Sequence, residues 1–331
     1  MASQYPQIET LNTDAETFKQ QYKDLLQKYL RDTSFEVLPS TYDLFTESAV
    51  VEYLRAQDFS PDYVQRYKPI IQAGAWIATS TYPFTPARVR EAIAIYSTLA
   101  IMIEDTSKEN LTDLKSFHDR LLHRQPQANK LLETTIHFIQ GLRGIYGPFI
   151  SEMITKATME FISVCIFEQE YEGIFAAASS TPEFPWYLRL KTGIGEAYAF
   201  FAFPEALYPE DTFLPTILPT IPYLLRFFDL GNDFFSFYKE SVVSNDRLNY
   251  IHNCSRANSI TPTRALEDAS SSLSDCVRIV REALSVNPQL RDNIEQLFHG
   301  YAMYHFGTER YRLSELSIPE IDDVREKIHF P

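Results

Sequence analysis

Hydrophobic positions recur at helical spacing along nearly the whole chain. Phe18, Tyr22, Leu25, Leu26 and Tyr29 form one such set, and Val89, Ala92, Ile93, Tyr96 and Ile103 form another. No segment sustains the strict alternation of a half-buried strand. Some helix starts are legible, because Thr85-Pro86, Thr261-Pro262 and Asn287-Pro288 each put a capping side chain before a proline suited to the first turn. The pattern predicts helices over 14–32, 41–57, 61–80, 86–104, 111–124, 127–142, 147–171, 183–201, 217–241, 262–285 and 288–311. Stretches 173–182 and 204–216 read as loops. The polar stretch 241–259 has little to bury and reads as a mobile lid. Only 10 glycines are present, too few for the many tight turns of a sheet-rich fold, so the expected class is all-α. No repeat or shift of composition marks a second domain. The expected organisation is a flexible segment over 1–13, one helical domain over 14–316 and a tail over 317–331.

Composition narrows the function. The chain has 331 residues, of which 45% are hydrophobic, enough for a sizeable core. Its net charge of -14, with no local basic cluster, argues against nucleic acid as a partner. An acidic protein can still take an anionic substrate if divalent cations stand between its carboxylates and the substrate's phosphates. Cys165, Cys254 and Cys276 are odd in number and widely spaced, which supports neither a disulfide framework nor a zinc site. The N-terminus lacks a basic start and an apolar stretch, and the longest nearly apolar run, Ala92 to Ile103, is too short to span a bilayer. A cytoplasmic protein without stable membrane insertion is expected.

The sharpest chemical feature lies between Gly231 and Glu240, where Asn232, Ser236 and Glu240 fall at i, i+4 and i+8. On a helix, successive members are offset by roughly 40°, and the outer two lie about 12 Å apart along the axis. One ion remains reachable, because helical side chains lean toward the N-terminus and Glu240 is long. Amide, hydroxyl and carboxylate oxygens form a hard set suited to Mg²⁺. Lys239 returns to nearly the same face and can touch a phosphate. Three oxygen residues on an amphipathic helix can equally face water, but Phe234, Phe235, Phe237 and Tyr238 make most other sides apolar, which favours an interior cleft. A second acidic pair, Asp105 and Glu109, follows an apolar helix at i and i+4; alone it also fits an ordinary solvated helix end.

Together with Glu309-Arg310-Tyr311 near the C-terminus, these motifs resemble the trichodiene synthase family of fungal class I sesquiterpene cyclases. The resemblance runs from about Asp105 to Leu316 and includes Phe167-Glu168-Gln169, Leu188-Arg189 before Gly193-Ile194-Gly195, and His299-Gly300-Tyr301. It implies a single-domain class I terpene synthase helical bundle around a central cavity. It also implies that Asn232, Ser236 and Glu240 hold one Mg²⁺ and that an Asp-rich motif holds two more. Aligning Ser107-Lys108 places that motif on Asp105, Thr106 and Glu109, so its second carboxylate is missing. The implied diphosphate donors are Arg189, Lys239, Arg310 and Tyr311. The implied reaction is Mg²⁺-dependent ionisation of farnesyl diphosphate, release of diphosphate, and cyclisation to a sesquiterpene hydrocarbon or alcohol. Similar enzymes are commonly homodimers, although this sequence shows no interface by itself.

A carbocation needs an apolar cavity whose ring faces stabilise positive charge. The chain offers 24 Phe, 20 Tyr and 2 Trp, among which Trp76, Phe161, Phe200 and Phe203 are candidate liners, with ordinary core packing the competing reading for each. A chain-elongating prenyltransferase would carry a second Asp-rich motif where the Asn-Ser-Glu helix stands. A catalytically impaired scaffold of the same fold draws support only from Thr106. GxSxG, GxGxxG and HExxH are absent, which removes the common hydrolase and dehydrogenase readings.

Overall fold

The computed structural model describes residues 15–39, 42–171, 180–244 and 249–328, among which every regular element is helical. In chain order they are α1 (Ala15–Asp32), α2 (Leu44–Ala56), α3 (Pro61–Arg66), α4 (Lys68–Thr81), α5 (Ala87–Asp105), α6 (Leu111–Leu122), α7 (Lys130–Gln140) and α8 (Pro148–Tyr171). There follow α9 (Phe184–Thr192), α10 (Gly195–Phe201), α11 (Glu210–Ile217), α12 (Ile221–Phe237), α13 (Tyr250–Asn258), α14 (Pro262–Ala283), α15 (Pro288–Gly307) and α16 (Pro319–Lys327). The all-α expectation is borne out.

Two of the three proline-marked starts work as the sequence suggests. Thr261 accepts from the N–H of Arg264, and Asn287 accepts from the N–H of Leu290. At the third, the Thr85 hydroxyl instead donates to the Tyr82 carbonyl at 2.8 Å, and α5 begins beyond Pro86 without a side-chain cap.

Helix α4 packs on α5 and α15 and carries the fully buried Trp76. Helix α12 packs on α10 and α14. Buried hydroxyls tie these elements by spending their protons on helix carbonyls: Tyr22 donates to Phe234 and Tyr82 donates to Tyr198, both at 2.7 Å. The α4–α15 crossing is close enough to demand glycine. A Cβ added at Gly300 would lie 1.8 Å from the Ser80 carbonyl oxygen, and backbone cannot yield as a side chain can. Gly300→Ala is therefore expected to destabilise the fold by about 3 kcal/mol, read as a lower urea midpoint at unchanged slope.

Several predicted boundaries change. The 61–80 helix divides at Tyr67, and the 183–201 helix breaks at Gly193 and Ile194. The 204–216 loop contains most of α11. The proposed lid is partly a packed element: α13 lies against α14 and buries Ile251, His252 and Asn253. Residues 245–248 of that stretch, 172–179 of the 173–182 loop and the 1–13 segment lie outside the described residues. Of the expected tail, residues 329–331 lie outside the described residues, while 317–328 belong to the fold, because α16 packs on α15 and Ile318, Ile321, Val324 and Ile328 are buried. Its spacing of three or four between apolar residues was a readable signal, hidden among many charges.

Candidate active site

Helices α4, α5, α8, α9, α10, α12 and α15 surround a cavity of about 850 Å³. Part of its lining is aromatic: Trp76, Phe161, Tyr198, Phe228, Tyr301 and Tyr304. Phe228 and Tyr301 meet edge to face at 4.7 Å. Two of the four candidate liners, Trp76 and Phe161, are among them. Phe200 and Phe203 are not, since they are buried against Phe149 and Tyr208 on other sides of the bundle. Helical spacing shows that α10 has a buried face without showing which side meets the cavity.

Asn232, Ser236, Lys239 and Glu240 all line this space. The regular helix ends at Phe237, and a π-helical turn over Tyr238–Val243 carries Lys239 and Glu240. A wider turn advances fewer degrees per residue, so it counters the roughly 80° drift that an ideal helix would put between Asn232 and Glu240. The Ser236 hydroxyl is buried with no hydrogen-bond partner among the described residues. An unmet buried hydroxyl is unfavourable, and here it lies between an amide oxygen and a carboxylate. The set thus fits a hard divalent cation. No three carboxylate, imidazole or thiol groups converge among the described residues, so any such ion depends on the Asn and Ser oxygens.

The second arm differs from the sequence reading. Helix α5 ends at Asp105, so Asp105 and Glu109 do not share a helix face, and both are exposed and outside the cavity lining. The Thr106 hydroxyl donates to the Met102 carbonyl at 2.7 Å, turned back on its own helix. Glu104 and Glu168, neither of them named as a site residue, open onto the cavity instead. Burial, then the charge of Glu104, pushes Glu168 up to about 7. Burial also raises Glu104, although Arg310 opposes it. The signal for Glu104 was a charge set among the apolar positions of α5.

Arg189 is mostly buried and grips α12 at three points. Its Nε donates to Asp233 Oδ2 at 2.7 Å, and its Nη2 donates to the Asp229 carbonyl at 3.0 Å and to Asn232 Oδ1 at 3.3 Å. Burial works against its charge, but Asp233 and Asp229 outweigh that and hold its pKa above the ordinary value. Arg310 lies 3.8 Å from Asp105 across the mouth. Its competing surface partners are engaged elsewhere: Glu309 pairs with Arg325, and Glu315 pairs with Arg312. Tyr311 lines the cavity from a short 3₁₀ turn and packs on His305 at 4.4 Å. The four expected donors, Arg189, Lys239, Arg310 and Tyr311, therefore border one space.

The trichodiene synthase (TRI5) family model matches residues 58–327, well over half of the chain. The chain belongs to the trichodiene synthase family. It is a class I terpene synthase, a carbon–oxygen lyase acting on phosphates. The family match begins earlier and ends later than the residues that carried the resemblance. The chain is 53% identical over 315 residues to an (E)-beta farnesene synthase of Metarhizium brunneum, covering 95% of each. It is 28% identical over 226 residues to a trichodiene synthase of Gibberella zeae, covering 68% of this chain and 59% of that one. In three dimensions it is similar to a linalool/nerolidol synthase from Streptomyces clavuligerus in complex with 2-fluorogeranyl diphosphate. The TM-score is 0.62 at 13% identity, over 84% of this chain and 99% of the other, which is a likeness of fold. No helix among the described residues is long and apolar enough to cross a membrane.

The enzyme also buries a carboxylate that sequence reasoning did not single out. Burial pushes Asp229 up to about 7, against the pull of Arg189. A raised pKa means that the folded state holds the proton more tightly than the unfolded chain. The stability this group contributes is present below about pH 4 and is lost as pH rises through about 7. Between about pH 5 and 8 the Tm of the metal-free enzyme is expected to fall more steeply than that of Asp229→Asn, as read by calorimetry.

Proposed function

We propose that the enzyme ionises farnesyl diphosphate and resolves the resulting cation into a sesquiterpene. The observation that carries this reading is the cavity itself, which joins aromatic walls to the Asn232, Ser236 and Glu240 oxygens and to the four donors. Asn232, Ser236 and Glu240 would hold one Mg²⁺. Glu104 and Glu168, open to the same space, offer the more suitable second arm for further ions; Asp105 is exposed beside Glu104, 3.8 Å from the cavity-lining Arg310, and Glu109 lies outside the lining. When bound, Mg²⁺ supplies Lewis acidity toward the departing diphosphate. Arg189, Lys239, Arg310 and Tyr311 donate to its oxygens as the C1–O bond breaks and both electrons leave with the diphosphate. The allylic cation then faces rings that stabilise charge without trapping it.

For the fate of that cation, the sequence expectation was ring closure. The Metarhizium relative favours a different end, because farnesene is an open-chain hydrocarbon formed when the cation loses a proton before any ring closes. We favour the open-chain product for this enzyme. A cytoplasmic location, expected from the sequence, and a homodimer, implied by the resemblance, complete the reading. The test is incubation with Mg²⁺ and geranyl, farnesyl or geranylgeranyl diphosphate, followed by gas chromatography and mass spectrometry. Farnesyl diphosphate is expected to be preferred and to give an acyclic tetraene plus one diphosphate and one proton. A cyclic main product overturns the open-chain choice, and turnover only of another chain length overturns the substrate.

A further inference from the structure

Gly193 and Gly195 flank the break between α9 and α10, and both line the cavity. Neither needs left-handed backbone: Gly193 has φ −80° and ψ 149°, which other residues adopt readily. What a side chain at either position would meet first is the Asp229 carboxylate, with the Leu225 carbonyl also 2.9 Å from a Cβ at Gly195. A Cβ on Gly193 would lie 2.1 Å from Asp229 Oδ1, and one on Gly195 would lie 2.5 Å from the same atom. The carboxylate lies against the backbone of Gly195, whose N–H favours its charged form, while the Asp229 carbonyl accepts from Arg189. Arg189 thus reaches the backbone of Asp229, and the side chain of Asp229 holds the break. A buried carboxylate is an expensive group, and an apolar residue there would be simpler if packing were all that mattered.

We infer that Asp229 is a positioning residue that latches the Gly193–Gly195 break to the helix gripped by Arg189, and so fixes the cavity wall that meets the carbocation. The product consequence rests on the function proposed above; the latch itself does not. An anionic diphosphate competes with Asp233 and Asn232 for the Arg189 guanidinium. Any shift in the grip of Arg189 acts on α12 at Asp229, one turn before Asn232, and Asp229 passes it to the backbone at Gly195. Binding of the anion and placement of the wall are thereby joined through one residue.

Two variants separate this role from plain stability. Asp229→Ala removes the latch, whereas Asp229→Asn keeps an oxygen that can accept from Gly195. In the alanine variant kcat for farnesyl diphosphate should fall by about tenfold or more with KM within about threefold, and the product ratio should change. The asparagine variant should retain the wild-type ratio. Gly193→Ala should be damaging alone and much less so when combined with Asp229→Ala, because the collision is then relieved.

An activity-independent measurement is hydrogen exchange over residues 190–198 of the full chain, with and without Mg²⁺ and inorganic diphosphate. Asp229→Ala should raise exchange at the Gly195 amide by about tenfold or more and abolish the response to diphosphate seen in wild type. Unchanged exchange and response in that variant would overturn the latch. So would a lower Tm accompanied by wild-type kcat and product ratio. If wild type makes no terpene from farnesyl diphosphate, the proposed function fails while exchange still decides the latch.

Discussion

Glu240→Gln is expected to lower kcat/KM for farnesyl diphosphate by about a hundredfold or more at subsaturating Mg²⁺, whereas Glu109→Gln should stay within about threefold of wild type. Glu240 is the one charged member of a set whose others are the Asn232 amide and the buried, unpartnered Ser236 hydroxyl. Replacing it leaves a neutral site facing a strongly hydrated dication. Glu109 lies in the turn beyond α5, exposed and outside the cavity lining, so its charge acts through solvent. Titrating Mg²⁺ against rate for both variants, with circular dichroism to confirm folding, checks the ranking. An equal or larger loss for Glu109→Gln would return the acidic arm to the assignment drawn from the aligned motif.

Arg310→Ala should lower kcat by about thirtyfold and raise the share of alcohol products, while Arg312→Ala should stay within about twofold of wild type. The two arginines are two residues apart and chemically alike, but they face different surroundings. Arg310 lines the cavity and spans its mouth to Asp105. Arg312 is turned outward to Glu315. Losing the first removes a charge-assisted donor and opens the mouth to water, which can capture a cation. Steady-state kinetics with product analysis separates the two effects. Wild-type rate and products in Arg310→Ala would make that residue an ordinary surface group.

The helical class was legible because apolar spacing is a local property, repeated along most of the chain. Asn232 and Ser236 were legible for the same reason, as members of one helix, whereas Glu240 borders the same space from the π-helical turn that follows Phe237. Failures arose where a neighbour decides. The Asp105 and Glu109 pair required α5 to continue, but the helix ends at Asp105 and the next carboxylate turns away. Glu104 was passed over as the edge of an apolar run, although it reaches the cavity beside cations from three other elements. Phe200 and Tyr198 are two residues apart on α10, and only the placement of α8, α12 and α15 decides which one meets the cavity. Asp229 looked like one more residue in an aromatic helix. Its meaning depends on two glycines more than thirty positions earlier.

In this cavity diphosphate is expected to leave only with the help of a divalent cation, a dependence open to a direct assay. It is tested most directly by following diphosphate release from farnesyl diphosphate by the purified enzyme in EDTA and then after excess Mg²⁺ is added. No release is expected in chelator, with full recovery once Mg²⁺ is in excess. Release at the same rate in EDTA would contradict it.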